Sequence, residues 1–288
     1  MRGKQRYRCS HCKHQFVPSI KQLKWIYSAY QDYSVGKQTL SELALKYNKS
    51  TRTLRRYFDQ YSAQVTSASA LPTPVNLILD ATFFGRTDGV FVFRANKKNL
   101  AWYFIETETL HVVQKGIMDL EQQGVSFKSF TIDGRKGVIR LLQTCYRGIP
   151  IQLCQFHQAQ IIRRYITQTP KTECGQALKE LMKHLTTTIN PFCFAQWVIL
   201  LQQYYSEFLK ERNEKGQFQH RKLRSAFRSL QTNLPYLFTY QLYPELKIPN
   251  TTNSCDGSFA HWKQKIKIHR GLRKERRNKM ISFLLNLN

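Results

Sequence analysis

Between residues 75 and 153 the hydrophobic pattern changes period several times, and that alternation limits the fold more than any other feature of the chain. VNLILDATFF (75–84), GVFVFRAN (89–96) and NLAWYFIETE (99–108) are short runs rich in β-branched and aromatic residues. Turns are expected near Thr87–Gly89 and Asn96–Asn99, so the three runs read as sequential strands. A helical stretch from about Leu110 to Gly124 follows, then strand SFKSFTID, a helix from about Lys136 to Tyr146 and a short strand, IPIQLC. Three strands followed by alternating helix and strand predict a mixed α/β sheet.

Three acids stand in recognisable settings on this pattern: Asp80 in LILDATFFG, Asp133 in SFTIDGRKG and Asp256 in NTTNSCDGSFAHWK. The first two follow apolar runs that read as buried strands, and the third follows a turn and opens a helix. Carboxylates delivered from two strand ends and a helix are what a two-magnesium phosphoryl-transfer site needs, because Mg²⁺ takes hard oxygen ligands and a metal pair clamps attacking and leaving oxygens. Asp88, in the turn RTDG, and Glu106, beside Glu108 at a strand end, are rival carboxylates better read as a turn residue and an edge charge.

Charge points to the substrate class. The 288 residues carry a formal net charge of +27 and a pI near 10.0. From His261 to Lys279 nine Lys or Arg stand against one acid, Glu275. A polyanion is the natural partner, and a solvated basic face is the plainer alternative. The 42% apolar content is enough for one substantial core and a small accessory domain. No run of 18 apolar residues occurs, so no membrane partner is expected. Seven scattered cysteines, an odd number, fit a reducing compartment better than a disulfide framework. The expected location is the cytoplasm, associated with the nucleoid.

The flanking segments divide the chain. Residues 1–18 contain one CxxC knuckle, Cys9 and Cys12, which reads as half of a zinc ribbon. Four ligands are needed for structural zinc, so Zn²⁺ here is left open, with His11 and His14 crowded alternatives. Residues 19–62 read as a helix-turn-helix domain. Leu40, Leu43, Ala44 and Tyr47 repeat at helical spacing, Asn48 to Ser50 form a polar turn, and Thr51 is the expected cap of a second helix. That helix carries Arg52, Arg55 and Arg56 and would enter a major groove, although many helical hairpins share the pattern without touching DNA. Residues 63–74 are small, polar and proline-containing, a linker. Residues 75–288 then form the expected catalytic domain, with a helical insertion over about 156–245. Leu178, Leu181, Met182 and Leu185 mark one apolar stripe in it, and Phe194, Trp197, Val198 and Leu201 another.

With acids and order placed, the chain resembles the DDE transposases of bacterial insertion sequences. Within them it is most similar to the group related to eukaryotic Mutator elements, in the variant with an N-terminal zinc ribbon. The motifs that carry the resemblance are LDATFFG (79–85), IDGRKG (132–137), LCQFHQ (153–158) and TTNSCDGSFAHWK (251–263). The resemblance implies a ribonuclease-H-like core in which a helical insertion separates the second and third acids. It implies catalytic, metal-binding roles for Asp80, Asp133 and Asp256, with two Mg²⁺ ions, Mn²⁺ being a substitute. The family usually has Glu at the third position, so Asp256 is a departure. Cys154 and His157 match the family's CxxH, read either as a zinc half-site or as packing with a histidine that orients DNA or a carboxylate. Lys263, Lys267 and Arg270 fall on one helical face with Asp256 and are expected to hold DNA phosphates. Arg135 and Lys136 could meet phosphate too.

The expected activity is metal-dependent cleavage of element ends and strand transfer into target DNA. Pairing two ends implies a homo-oligomer on DNA. A ribonuclease-H-like nuclease without strand transfer, or an impaired or domesticated DNA-binding protein, are the alternatives.

Overall fold

The computed structural model describes residues 7–16, 24–61, 74–187, 190–269 and 271–287. Most of the expected linker and Arg270 lie outside these residues. The chain divides into two compact units, one made of residues 1–66 and 261–287, the other of residues 67–260.

The first unit opens with a small antiparallel hairpin, β1 (Tyr7–Arg8) and β2 (Gln15–Phe16). Helices α1 (Lys24–Ser34), α2 (Leu40–Lys46) and α3 (Thr51–Gln60) follow. Thr39 and Glu42 make a reciprocal capping box that starts α2. The turn into α3 passes through Asn48 at φ 48°, and the cap of α3 is Ser50, whose hydroxyl accepts from Thr53 N at 3.1 Å. Thr51, the cap expected from sequence, is instead the first helical residue. Ala29, Tyr30, Tyr33, Leu43, Leu54 and Phe58 form a buried core, and Phe283 of the last helix packs into it. Residues 261–287, placed by the sequence in the catalytic domain, therefore complete the small helical unit.

The second unit is built on a five-stranded sheet. Its strands are β3 (Val75–Phe83), β4 (Gly89–Ala95), β5 (Lys98–Ile105), β6 (Phe127–Ile132) and β7 (Ile151–Leu153). Their order is β5-β4-β3-β6-β7. The first three are antiparallel neighbours, and β6 and β7 join in parallel. The fold is therefore mixed α/β. The β4–β5 turn uses Asn96 and Lys97, both at positive φ, as a tight hairpin requires. Helices α4 (Leu110–Gln122) and α5 (Lys136–Cys145) make the crossovers between the parallel strands.

Strand periodicity splits the sheet into two unlike faces. Leu77, Leu79, Phe91, Phe93, Phe130 and Ile132 lie on one face and join the apolar core with Val113 and Ile117 of α4 and Val138 and Leu142 of α5. The other face carries Asn76, Asp80, Ser129, Thr131 and Gln152. Asn76 and Thr131 find partners in the chain segment that leads to the third acid, Ser129 in Asn76, and Gln152 in Leu237 and Tyr240.

Between β7 and that segment the chain is helical: α6 (Gln155–Ile166), α7 (Glu173–Lys183), α8 (Pro191–Tyr204), α9 (Ser206–Lys210), α10 (Arg221–Leu237) and α11 (Thr239–Leu242). One departure from the expected helical run is the turn closed by a bridge between Arg212 and Phe218. Its Phe218 ring lies under two guanidiniums, Arg212 at 4.3 Å and Arg224 at 3.6 Å. Helix α10 packs against α6 and β7. Helices α12 (Asn253–Ile268) and α13 (Lys274–Asn286) end the chain.

Candidate active site

Asp80 and Asp133 are placed by strand register. Ile78 of β3 pairs with Thr131 of β6 in parallel, and two residues further along these neighbouring strands stand Asp80 and Asp133. Asp80 projects to the polar face, by the alternation that puts Asn76 and Ser129 there, and Asp133 follows the last residue of β6; Ser129 Oγ donates to Asn76 Oδ1 at 2.6 Å. Directly after Asp133 the chain turns at Gly134, with φ 98°, a conformation that glycine alone adopts at little cost. The amide of Arg135 donates to Asp133 Oδ1 at 3.3 Å. The Arg135 guanidinium is committed to Glu108, at 2.6 Å to its carboxylate and 3.0 Å to its carbonyl. Arg135, which the sequence left open between a phosphate contact and a solvated surface residue, thus has an acidic partner. Asp88 lies in its turn, with its carbonyl accepting Phe84 N at 2.8 Å, and Glu106 is exposed.

Asp256 reaches the same face through a strap, residues 246–252, held by polar side chains of the sheet and of α6. Asn76 Nδ2 donates to the carbonyls of Leu246 and Lys247, each at 3.0 Å. Thr131 Oγ1 donates to Pro249 O at 3.0 Å. Asn250 exchanges two bonds with Gln155, Nδ2 to Oε1 at 3.1 Å and Gln155 N to its carbonyl at 3.1 Å. The amide of Thr252 donates to Cys154 Sγ at 3.3 Å. Helix α12 starts immediately afterwards, and Asp256 lies in its first turn. The strap converts buried polar groups of three elements into a fixed position for one carboxylate.

Thr252 is the centre of this arrangement. Its buried hydroxyl is 3.4 Å from Asp256 Oδ2, 3.4 Å from His157 Nδ1 and 3.6 Å from Cys154 Sγ. Asp80 is buried, with Oδ1 accepting its neighbour Ala81 N at 2.8 Å and Oδ2 lacking any hydrogen-bond partner. Burial, and then repulsion from the Asp256 carboxylate, push the Asp80 pKa up to about 7, against the opposing pull of His157. The His157 pKa is raised to about 9, first by its hydrogen bond to Cys154, with burial opposing and with the charges of Cys154, Asp80 and Asp256 adding to the rise. For Cys154, burial works upward, but hydrogen bonds from His157 and Thr252 prevail and the thiol pKa is lowered. Cys154, His157, Asp80 and Asp256 thus form one electrostatically linked group.

A hard divalent ion suits these donors. The fit rests on the buried Asp80 oxygen without a partner, beside a second carboxylate that repels it. Among the described residues no three His, Cys, Asp or Glu side chains converge closely enough to hold a metal ion as they stand.

The other expected site residues are spread out. Arg52, Arg55 and Arg56 are exposed on α3, and Lys263 and Lys267 are exposed on α12. Cys9 and Cys12 flank the turn of the β1–β2 hairpin, where Cys9 N donates to His14 O at 2.8 Å. Backbone amides of Cys12 and His11, and the Cys12 thiol, lower the Cys9 pKa. Cys145 is exposed, Cys193 half-buried, and Cys174 and Cys255 are buried; all are free thiols.

Two residues of this neighbourhood were not picked out from sequence. Thr252 left only the weak signal of a threonine before a helix. Arg94 left a better one, a cation inside the apolar strand GVFVFRA. Its buried guanidinium donates to Asn99 Oδ1 at 3.0 Å and to Ser258 Oγ on α12 at 3.1 Å.

Compared with models of known protein families and with curated proteins, the chain matches none. Among the described residues no helix is long and apolar enough to cross a membrane.

Proposed function

We propose that this chain is a DDE-type transposase with a three-aspartate site, which cleaves DNA strands at element ends and joins them to target DNA. The observation that carries the reading is the delivery of Asp256, by the strap and α12, to the buried carboxylate of Asp80, beside the strand that ends at Asp133. The strand order, with β3 central between an antiparallel pair and a parallel pair, supports a ribonuclease-H-like core. Helices α6 to α11, lying in sequence between the second and third acids, support a helical insertion.

Asp80, Asp133 and Asp256 would hold the divalent metal. When bound, the metal supplies a Lewis acid that activates water or a DNA 3′-hydroxyl and stabilises the leaving oxygen. The chain's own residues prepare the site for that charge. Asp80 holds a proton up to about neutral pH because it is buried near another carboxylate. It would give that proton up to a cation bound in its place. His157, positively charged below about pH 9, balances the acids, and Thr252 fixes the imidazole and the Asp256 carboxylate at the same hydroxyl. Asp256 is one methylene shorter than the usual Glu, and the strap that anchors the start of α12 supports its placement near Asp80.

In this reading α2 and α3 are the helix-turn-helix that binds element ends through Arg52, Arg55 and Arg56, and two copies pair the two ends. The test is Mg²⁺-dependent excision of a marker flanked by the gene's own terminal sequences, with the native chain, Asp256→Ala and Asp256→Glu. Excision by the native chain and its loss in Asp256→Ala is the expected result. No excision by the native chain, with recovery in Asp256→Glu, would mean an element disabled at its third acid. Failure of all three would favour a DNA-binding role without strand transfer.

A further inference from the structure

The C-terminal helix does more than pack against the helix-turn-helix; it builds a cleft with it. The cleft has a volume of about 460 Å³, and Arg55 of α3 lies in its lining with Arg273, Arg276 and Lys279 at the start of α13. Tyr33, Phe58 and His269 also line it. His269 is fixed there by a 2.8 Å contact between Nε2 and the carbonyl of Tyr33. All these residues belong to the same compact unit.

The charge balance of the cleft is one-sided. Four basic side chains face one acid, Asp59. That acid is already neutralised, because Arg276 donates to both of its carboxylate oxygens, at 2.7 and 2.6 Å. Lys279 is tied to the Asp59 carbonyl at 2.7 Å. Arg55 and Arg273 remain exposed, with no acidic partner among the described residues. Two unpaired guanidiniums in one cleft, with a cancelled acid between α3 and α13, make a receptor for an anion with several acceptor oxygens.

Resting on the proposed reading of α3 as a helix that enters a DNA groove, we infer that this cleft receives a backbone phosphate of the same duplex. Arg55 connects the two surfaces. It shares the exposed side of α3 with Arg52 and Arg56, yet also lines the cleft. A duplex engaged by Arg52 and Arg56 therefore brings its sugar-phosphate strand towards Arg55 and Arg273. The DNA-binding surface is then composite, made from an N-terminal helix and a C-terminal helix far apart in sequence.

The experiment is fluorescence-anisotropy binding of a mixed-sequence 20-base-pair duplex (about two helical turns) to the full chain over a range of NaCl concentrations. Each phosphate contact contributes about 0.9 to the slope of log K against log salt. Arg273→Gln and Arg55→Gln are expected to lower that slope by about one contact each and weaken binding several-fold. Lys215→Gln, an exposed charge in the turn after α9, is the control and is expected to change the slope little. Arg273 is exposed and makes no ion pair among the described residues, so its variant keeps the fold, which thermal melting checks. If Arg52→Gln weakens binding while Arg273→Gln behaves like Lys215→Gln, the cleft inference fails and the helix-turn-helix reading stands. If Arg52→Gln and Arg273→Gln both behave like Lys215→Gln, or the native chain binds no duplex, both fail. Loss of polyglutamate binding on Arg273→Gln, with duplex binding unchanged, would assign the cleft to an acidic protein segment and overturn the inference.

Discussion

Asp80 and Asp256 are coupled through one site: burial first, and then repulsion from the Asp256 carboxylate that α12 delivers, raise the pKa of Asp80, whose Oδ2 has no hydrogen-bond partner. Two carboxylates in that position cost stability when both are ionised, and a cation removes the cost.

The cost has a definite pH signature. The Asp80 pKa rises from 3.8 in the free residue to about 7 in the folded chain. The folded state therefore binds this proton more tightly than the unfolded state. Stability from Asp80 is greatest below about pH 4, falls as pH rises to about 7, and stays low above it. Asp80→Asn removes this slope and is expected to stabilise the metal-free protein at pH 8 by roughly 2–4 kcal/mol. Urea unfolding in EDTA at pH 4 and pH 8 measures it. Added Mg²⁺ should stabilise the native chain at pH 8 and the variant much less. Equal Mg²⁺ stabilisation of both would remove Asp80 from the ligand set.

His157 gives a slope of the same sign in a higher pH window. Its pKa is raised to about 9, so its contribution is complete below about 6.5 and is lost as pH rises through 9. The largest cause is the hydrogen bond to Cys154. Cys154→Ala is expected to move the imidazole titration down towards the ordinary histidine range. NMR of the His157 ring protons reads this directly. An unchanged midpoint would assign the shift to the carboxylates alone.

The strands, both crossover helices and the position of Asp133 just after β6 were legible because each depends on local periodicity; Asp80, expected at a strand end, lies inside β3, which runs on to Phe83 because Ala81, Thr82 and Phe83 keep pairing with β4. VNLILD and SFTID are apolar runs ending in an acid, and a parallel register brings such ends together whatever the loops do. The strap was not legible. Asn76, Thr131 and Gln155 are ordinary polar residues in sequence, and only the register and the return of residues 246–252 turn them into its anchors. Thr252 and Arg94 escaped for the same reason, since their partners lie in other elements. The Ser50 cap was missed by one residue, because Ser50 and Thr51 are both competent caps.

Residues 261–287 show another limit of local reading. Their charge is plain in sequence, but Phe283 belongs to the aromatic core of the small unit. Its ring lies 5.0 Å from that of Tyr30, edge-on, and 6.3 Å from that of Tyr61. Phe283→Ala should destabilise this unit by about 3–5 kcal/mol, as expected for deleting a buried ring. Hydrogen exchange should rise in α1 and α3 and remain slow in β3, β4 and β6. Uniform acceleration across both units would contradict the independence of the two cores.

Gly116 tests the packing of α4 on the sheet. A methyl group there would lie 2.1 Å from the Phe93 ring, deep in the core. Alanine improves intrinsic helix propensity by about 1 kcal/mol. The clash outweighs that gain, because both residues are buried and Phe93 has apolar neighbours on every side. Gly116→Ala is expected to lower stability by roughly 1–3 kcal/mol, measured by chemical unfolding. A rise in stability would mean that α4 stands further from β4 than this packing allows.

Arg94 separates stability from function. Its guanidinium is buried, its Nε has no hydrogen-bond partner, and no carboxylate pairs with it among the described residues. A buried charge so poorly compensated is costly, and replacing it by an apolar side chain of similar length is expected to be neutral or stabilising by about 1–3 kcal/mol. What Arg94 provides is a bond from β4 to Ser258, two residues after Asp256 on α12. Arg94→Met should therefore keep or raise the melting temperature while reducing the proposed strand cleavage, because α12 loses a tether near its carboxylate. Ser258→Ala removes the same bond from the other side and should reproduce the loss of activity. If Arg94→Met is active and unstable, the guanidinium serves the fold, and the strap alone positions Asp256.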